Sequence, residues 1–232
     1  MEQLYLWLKH KKCKEPHICI KATGCYGMDL ATYLQSKNYK VSIVNPARVK
    51  GFAKSELARV KTDKADAKLI AKFCMLMHPD VWKVVPKHLK QLQDFVKRIN
   101  ALGQMRNKES NRLEGASKEL SMMIKKHIDF IDKQISHIEG LIKDHISSYP
   151  DLLKKQKLLS TIPGIGFKTI IHILAFLGNI NEFNSAKQLA AFIGLNPRRY
   201  QSGSSVNYRT RLSKTGSSVL RKAFFCFSCY KT

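Results

Sequence analysis

Two kinds of apolar spacing divide this chain. His17, Ile18, Cys19 and Ile20, and later Lys40, Val41, Ser42, Ile43 and Val44, are short β-branched runs of strand type, and residues 28–36 between them carry a helical pattern. Strand, helix, strand and helix in that order predict a parallel α/β sheet, whose ligands gather at the C-terminal strand ends. Ahead of them Leu4, Leu6, Trp7 and Leu8 give residues 1–12 an amphipathic helical pattern, and residues 22–27 and Asn45-Pro46 read as turns. The next helix opens at Thr62, a plausible N-cap, with Ala67, Ile70, Ala71 and Phe73 as its apolar stripe.

Spacing then changes to sustained threes and fours. Leu89, Leu92, Phe95, Ile99 and Leu102 make one stripe, and Leu120, Ile124, Ile128, Ile131, Ile135, Ile138, Leu141 and Ile142 another. They predict two long helices, either an antiparallel hairpin or a coiled coil that makes the chain a homo-oligomer, with the reversal at Gly103 or at Gly115. Tyr149-Pro150 closes that region. Residues 159–169, with Gly164, Gly166 and Lys168 ahead of Ile170, Ile173 and Leu174, have the form of a helix-hairpin-helix suited to a phosphate. Residues 183–195 read as another helix. Residues 197–205, with Arg198, Arg199 and several hydroxyls, read as a basic phosphate-contact loop.

Charge narrows the partners. The 232 residues hold 41 Lys and Arg against 17 Asp and Glu, a net charge of +24, which calls for a polyanion. After Glu182 no acid occurs while nine basic residues follow, Arg209, Arg211 and Lys214 among them. No apolar run approaches the roughly 18 residues that span a bilayer, so nucleic acid is favoured over a membrane. Six cysteines without a secretory signal fit a reduced, cytoplasmic setting, and Cys226 and Cys229 have zinc-knuckle spacing but no second pair nearby.

Asp63 and Asp66 are the candidate chemistry. Three residues apart, they stack on one helix face, where two anionic oxygens suit Mg²⁺ or Mn²⁺; acids favoured by the helix dipole are the plainer account. Lys21, at the end of the first strand, should face them. Arg48, Lys50, Lys54 and Arg59 fall in what reads as a connecting basic loop.

Several segments together resemble one family, the Asp-Glu-Asp-Asp transposases of bacterial insertion sequences, family one-ten, whose members are bridge-RNA-guided recombinases. The segments are Ala22-Thr-Gly24, Val44-Asn-Pro46, Lys61-Thr-Asp-Lys-Ala-Asp-Ala67, Ile162-Pro-Gly-Ile-Gly166, residues 189–195, residues 197–205 and residues 214–221. They occur in family order over nearly the whole chain. The resemblance implies α/β plus all-α architecture: a partial RuvC-like, RNase-H-type domain over 1–85, a helical coiled-coil connector over 86–148, and a helical transposase domain with the helix-hairpin-helix over 149–232. It implies that Asp63 and Asp66 are two of four carboxylates holding Mg²⁺, and that Ser202 is the nucleophile forming a covalent phosphoserine with DNA. DNA and a structured guide RNA are the implied partners, with Gly164, Gly166, Lys168, Arg198, Arg199, Arg209, Arg211 and Lys214 as contacts.

Two departures bear on activity. Lys21 stands where the family has a glutamate before Ala-Thr-Gly, and the family's first carboxylate lies on a strand upstream of any in this sequence. The family also continues past the C-terminal residues seen here. The resulting expectation is a truncated, inactive copy in which Lys21 pairs with Asp63 or Asp66 and replaces metal by an ion pair. The alternative is a non-catalytic module that binds RNA or DNA or pairs with intact transposase subunits. A helical scaffold leaves the charge unexplained.

Overall fold

The computed structural model describes residues 1–11, 15–24, 26–57, 62–178, 183–202 and 206–228, without side-chain surroundings for residues 26, 199–202, 206–208 and 225–228. Arg59, Cys229 and the side chains of Arg199, Ser202 and Cys226 lie outside that description. Two compact units are present, Met1–Val85 and Pro86–Thr232.

In the first unit α1 (Glu2–His10), β1 (His17–Lys21), α2 (Tyr26–Ser36), β2 (Lys40–Val44), α3 (Pro46–Ser55) and α4 (Asp63–Met77) follow one another. β1 and β2 pair in parallel, His17 beside Lys40 and Lys21 beside Val44. Strand alternation sorts the side chains between two faces. Ile18, Ile20, Val41 and Ile43 meet Leu8, Ala31 and Leu34 from α1 and α2. Cys19 and Val44 meet Val49, Phe52, Leu69, Ile70 and Phe73 from α3 and α4. Ser42, fully buried on the second face, accepts from His17 Nε2 at 2.7 Å and lies 2.9 and 2.7 Å from the carbonyls of Pro79 and Asp80.

Local chemistry sets the helix starts. Thr62 Oγ1 accepts from the Ala65 N–H at 3.2 Å, which fixes α4 where the N-cap was expected. Asn45 Oδ1 accepts from the Ala47 N–H at 2.8 Å with Pro46 at the first helical position. Arg48, Lys50 and Lys54 therefore stand on a helix, not on the loop that their composition suggested. Of the expected α4 stripe Ile70 and Phe73 face the core, whereas Ala67 and Ala71 are exposed and Leu69 and Cys74 complete the buried side.

In the second unit α5 (Lys87–Arg112) and α6 (Lys118–Ser147) form an antiparallel hairpin, reversing at Gly115, whose φ of 82° suits glycine. Leu92, Val96, Ile99 and Leu102 of α5 and Ile131, Ile138, Ile142 and Ile146 of α6 share one core with α7 (Pro150–Ser160) and α8 (Phe167–Phe176). Each such side chain contributes about 1.5–3 kcal/mol when fully buried. Gln93 Nε2 donates to the Ala175 carbonyl at 2.8 Å, and Arg106 Nε to Asp132 Oδ1 at 2.6 Å. α9 (Ala186–Ile193) and α10 (Ser218–Ser228) close a second core with α8 around Ile173, Leu177, Ile193 and Leu220.

Between α9 and α10 the chain departs from the expected helical domain and phosphate loop. β3 (Pro197–Ser202) and β4 (Val206–Leu212) form an antiparallel hairpin with a register shift between Arg198 and Tyr200.

Candidate carboxylate site and basic surfaces

β1 ends at Lys21 on the face that α4 covers, and α4 begins with the two acids. Lys21 Nζ lies 3.4 Å from Asp66 Oδ2, with the side chains 31% and 41% exposed. Asp63 is exposed one turn earlier. Strand alternation aims Lys21 at the helix, and the Thr62 cap sets the rotation that turns Asp66 inward. The pairing expected from the sequence is present, with Asp66 as the partner.

This donor set does not fit a Mg²⁺ cage. Mg²⁺ demands near-octahedral oxygen ligation, and an ammonium on one of two candidate ligands places a positive charge where the ion would be. Among the described residues no group of three or more His, Cys, Asp or Glu converges as a metal site.

A cavity of about 510 Å³ lies along the same face of β1, lined by His17, Cys19, Ile70, Cys74, Met75 and His78. Sequence reasoning did not single it out, because its thiols and imidazoles are scattered over 60 residues. Its chemistry is muted. Burial, then the neighbouring Cys74, push the Cys19 thiol up to about 12; burial also raises Cys74, against its hydrogen bond with Cys19. Both stay protonated and weakly nucleophilic at neutral pH.

The second unit holds the basic surfaces. Gly164, with φ of 84°, turns the chain from α7 toward α8, and Gly166 is the N-cap of α8 with nothing within 4 Å of an added Cβ. The hairpin thus offers open backbone beside exposed Lys168 at a helix N-terminus. On the β-hairpin, Arg198 pairs directly with Arg211, and both are exposed, as are Arg209 and Lys214. Between this pair and Tyr200–Tyr208 the register slips by one residue, which places Arg209 in the bulged stretch of β4. Like charges directly opposite in a sheet repel, so this pairing is favourable chiefly with an anion between them. Ser202 lies at the last position of β3, opposite Val206. Among the described residues no helix is long and apolar enough to cross a membrane.

Known proteins agree along most of the length. The model for DEDD transposases of the IS110 type, described as "Transposase", matches residues 1–121. That described as "Transposase IS116/IS110/IS902 family" matches residues 156–229. The pilin gene-inverting proteins of Moraxella lacunata and Moraxella bovis are each 35% identical over 225 residues, 96% of this chain and 70% of theirs. The transposase for insertion sequence element IS1328 of Yersinia enterocolitica is 25% identical over 240 residues, 89% of this chain and 69% of its own.

Proposed function

Because the chain belongs to the IS110 family of transposases, we propose that it is a DNA-binding recombinase-type protein whose own carboxylate centre is closed by Lys21. The family's four-acid centre implies a metal-dependent reaction. The observation that carries the reading is the Lys21 Nζ to Asp66 Oδ2 contact at 3.4 Å. An ammonium there neutralises one carboxylate and repels a second cation, so strand cleavage is lost in this chain while DNA binding persists.

Binding is supported by the second unit. Arg198 and Arg211 side by side, with exposed Arg209 in the adjacent bulge and exposed Lys214, form a phosphate-seeking strip, and Gly164, Gly166 and Lys168 form another at the start of α8. The Moraxella relatives are named for inverting a pilin gene, which makes double-stranded DNA the first substrate to test. In this reading Arg199 is a further nucleic-acid contact, a structured RNA guides target choice, Ser202 is the residue that would attack the scissile phosphate, and copies associate through the α5–α6 hairpin.

The deciding experiment looks for a covalent protein–DNA adduct on a denaturing gel with Mg²⁺, RNA and matching DNA. The unmodified chain gives none, and Lys21→Glu alone restores none, since three acids still leave the four-acid set incomplete among the described residues. A Ser202-dependent adduct from the unmodified chain overturns the proposal that Lys21 closes the site.

A further inference from the structure

Resting on the nucleic-acid reading but on the first unit alone, we infer that the pocket where α1 meets the turn into β2 binds one unpaired nucleotide. A cavity of about 580 Å³ is lined there by Tyr5, Lys9, Glu15, Lys37, Tyr39 and Lys40. That volume lies in the usual range of small-molecule sites. Lys21 ends β1, whereas Lys40 begins β2, so the pocket sits at the opposite end of the parallel sheet from the Lys21–Asp66 pair.

Its chemistry is aromatic and cationic together. The Tyr5 ring meets Tyr33 edge-on at 6.5 Å and Tyr39 at 6.2 Å, with interplanar angles of 88° and 67°. Lys37 Nζ lies 5.3 Å from the Tyr5 ring centre and 5.7 Å from that of Tyr33. Tyr33 and Tyr39 pack on the core of Leu8, Ala31, Leu34 and Val41, which fixes them, and Tyr5 is braced against both. Asn38, left-handed at φ 65°, turns the chain so that Lys37, Tyr39 and Lys40 reach the same rim.

Base faces stack on aromatic rings, and phosphates seek ammonium groups; rigid tyrosines beside three lysines meet both requirements. Among the described residues lining it, the one acid is Glu15, which pairs with Lys40 at 3.2 Å, but the pair is 77% and 61% exposed and therefore weak enough for a phosphate to displace. A base inside a duplex has its faces covered, so the pocket selects unpaired strands, with RNA and DNA offering the same stacking chemistry.

The test measures fluorescence anisotropy of the full chain with 12-nucleotide single-stranded RNA, the same sequence as single-stranded DNA, and a DNA duplex. Tyr5→Ala weakens single-strand binding about tenfold and Tyr5→Phe leaves it intact, while duplex affinity holds in both. Lys37→Gln lowers the single-strand salt slope by about 0.7. On the unmodified chain, photocrosslinking of a 5-iodouracil oligonucleotide maps to Tyr5 or Tyr39. Comparing the RNA and DNA arms identifies the strand this pocket accepts. Unchanged single-strand affinity in Tyr5→Ala, or crosslinks outside this pocket, overturns the inference while duplex binding keeps the broader reading intact. Failure of all three nucleic acids to bind overturns both.

Discussion

Lys21 pairs with Asp66 across the β1–α4 face without disturbing the fold around it. The lysine uses strand geometry that would aim a carboxylate at Asp66, and its ion pair is too exposed to weigh much in stability. Replacing it with Met should change the unfolding free energy by less than about 1 kcal/mol in urea titrations. Ser42 is different. Its hydroxyl is fully buried and joins His17 to the 79–80 turn, so Ser42→Ala strands those partners and should cost about 2 kcal/mol in the same assay. Cys19 and Cys74 offer a third check. With both thiols protonated by burial, iodoacetamide at pH 8 should leave these two positions unlabelled in the folded chain and label them in urea, as read by peptide mass mapping.

At the scale of elements, the sequence was most informative where one local cue and one period coincide. Thr62 before an apolar helical stripe located α4, and two sustained apolar stripes located α5 and α6, while the choice of Gly115 over Gly103 for the reversal, and of a hairpin over a coiled coil, came from the structure. The lysines and arginine of residues 46–55 have the composition of a loop and mask a helix fixed by the Asn45 cap and Pro46. β3 and β4 were hidden for another reason: their stability lies in pairing across the sequence, which the mixture of Arg, Tyr, Gln and Ser does not advertise. The Lys21–Asp66 contact was legible, since strand end and helix start were both known; the tyrosine pocket was not, because it joins residues 5 to 40 through tertiary packing. Glycines give the sharpest test of these elements. At Gly216, φ is 152° and an added Cβ would lie 2.3 Å from the Phe192 carbonyl oxygen. Gly216→Ala should therefore lose on the order of 3 kcal/mol by forcing α9 from the turn before α10. Gly103→Ala, mid-helix in α5 with nothing within 4 Å, should instead gain up to about 1 kcal/mol. Thermal melts distinguish the two signs.

For the whole molecule, a charge of +24 makes ionic strength the dominant variable. If about six phosphates are contacted, duplex affinity should fall by roughly three decades between 50 and 200 mM salt; a flat dependence would remove the electrostatic basis of the reading. Acid acts through a separate route. Burial lowers the pKa of His172 despite its bond to the Lys168 carbonyl, so the native chain prefers the neutral ring. Its contribution is fully present above the ordinary value of 6.5 and declines as pH falls below it, because the unfolded chain takes up the proton first. His172→Gln should flatten that part of a melting-temperature profile measured between pH 7.5 and 5.5. The hairpin adds a mechanical consequence. With 30 residues, α6 is about 45 Å long, close to the axial length of thirteen stacked base pairs. Braced at its base by α7 and α8, such an arm is a lever: a tilt of about 5° there carries its tip through roughly 4 Å.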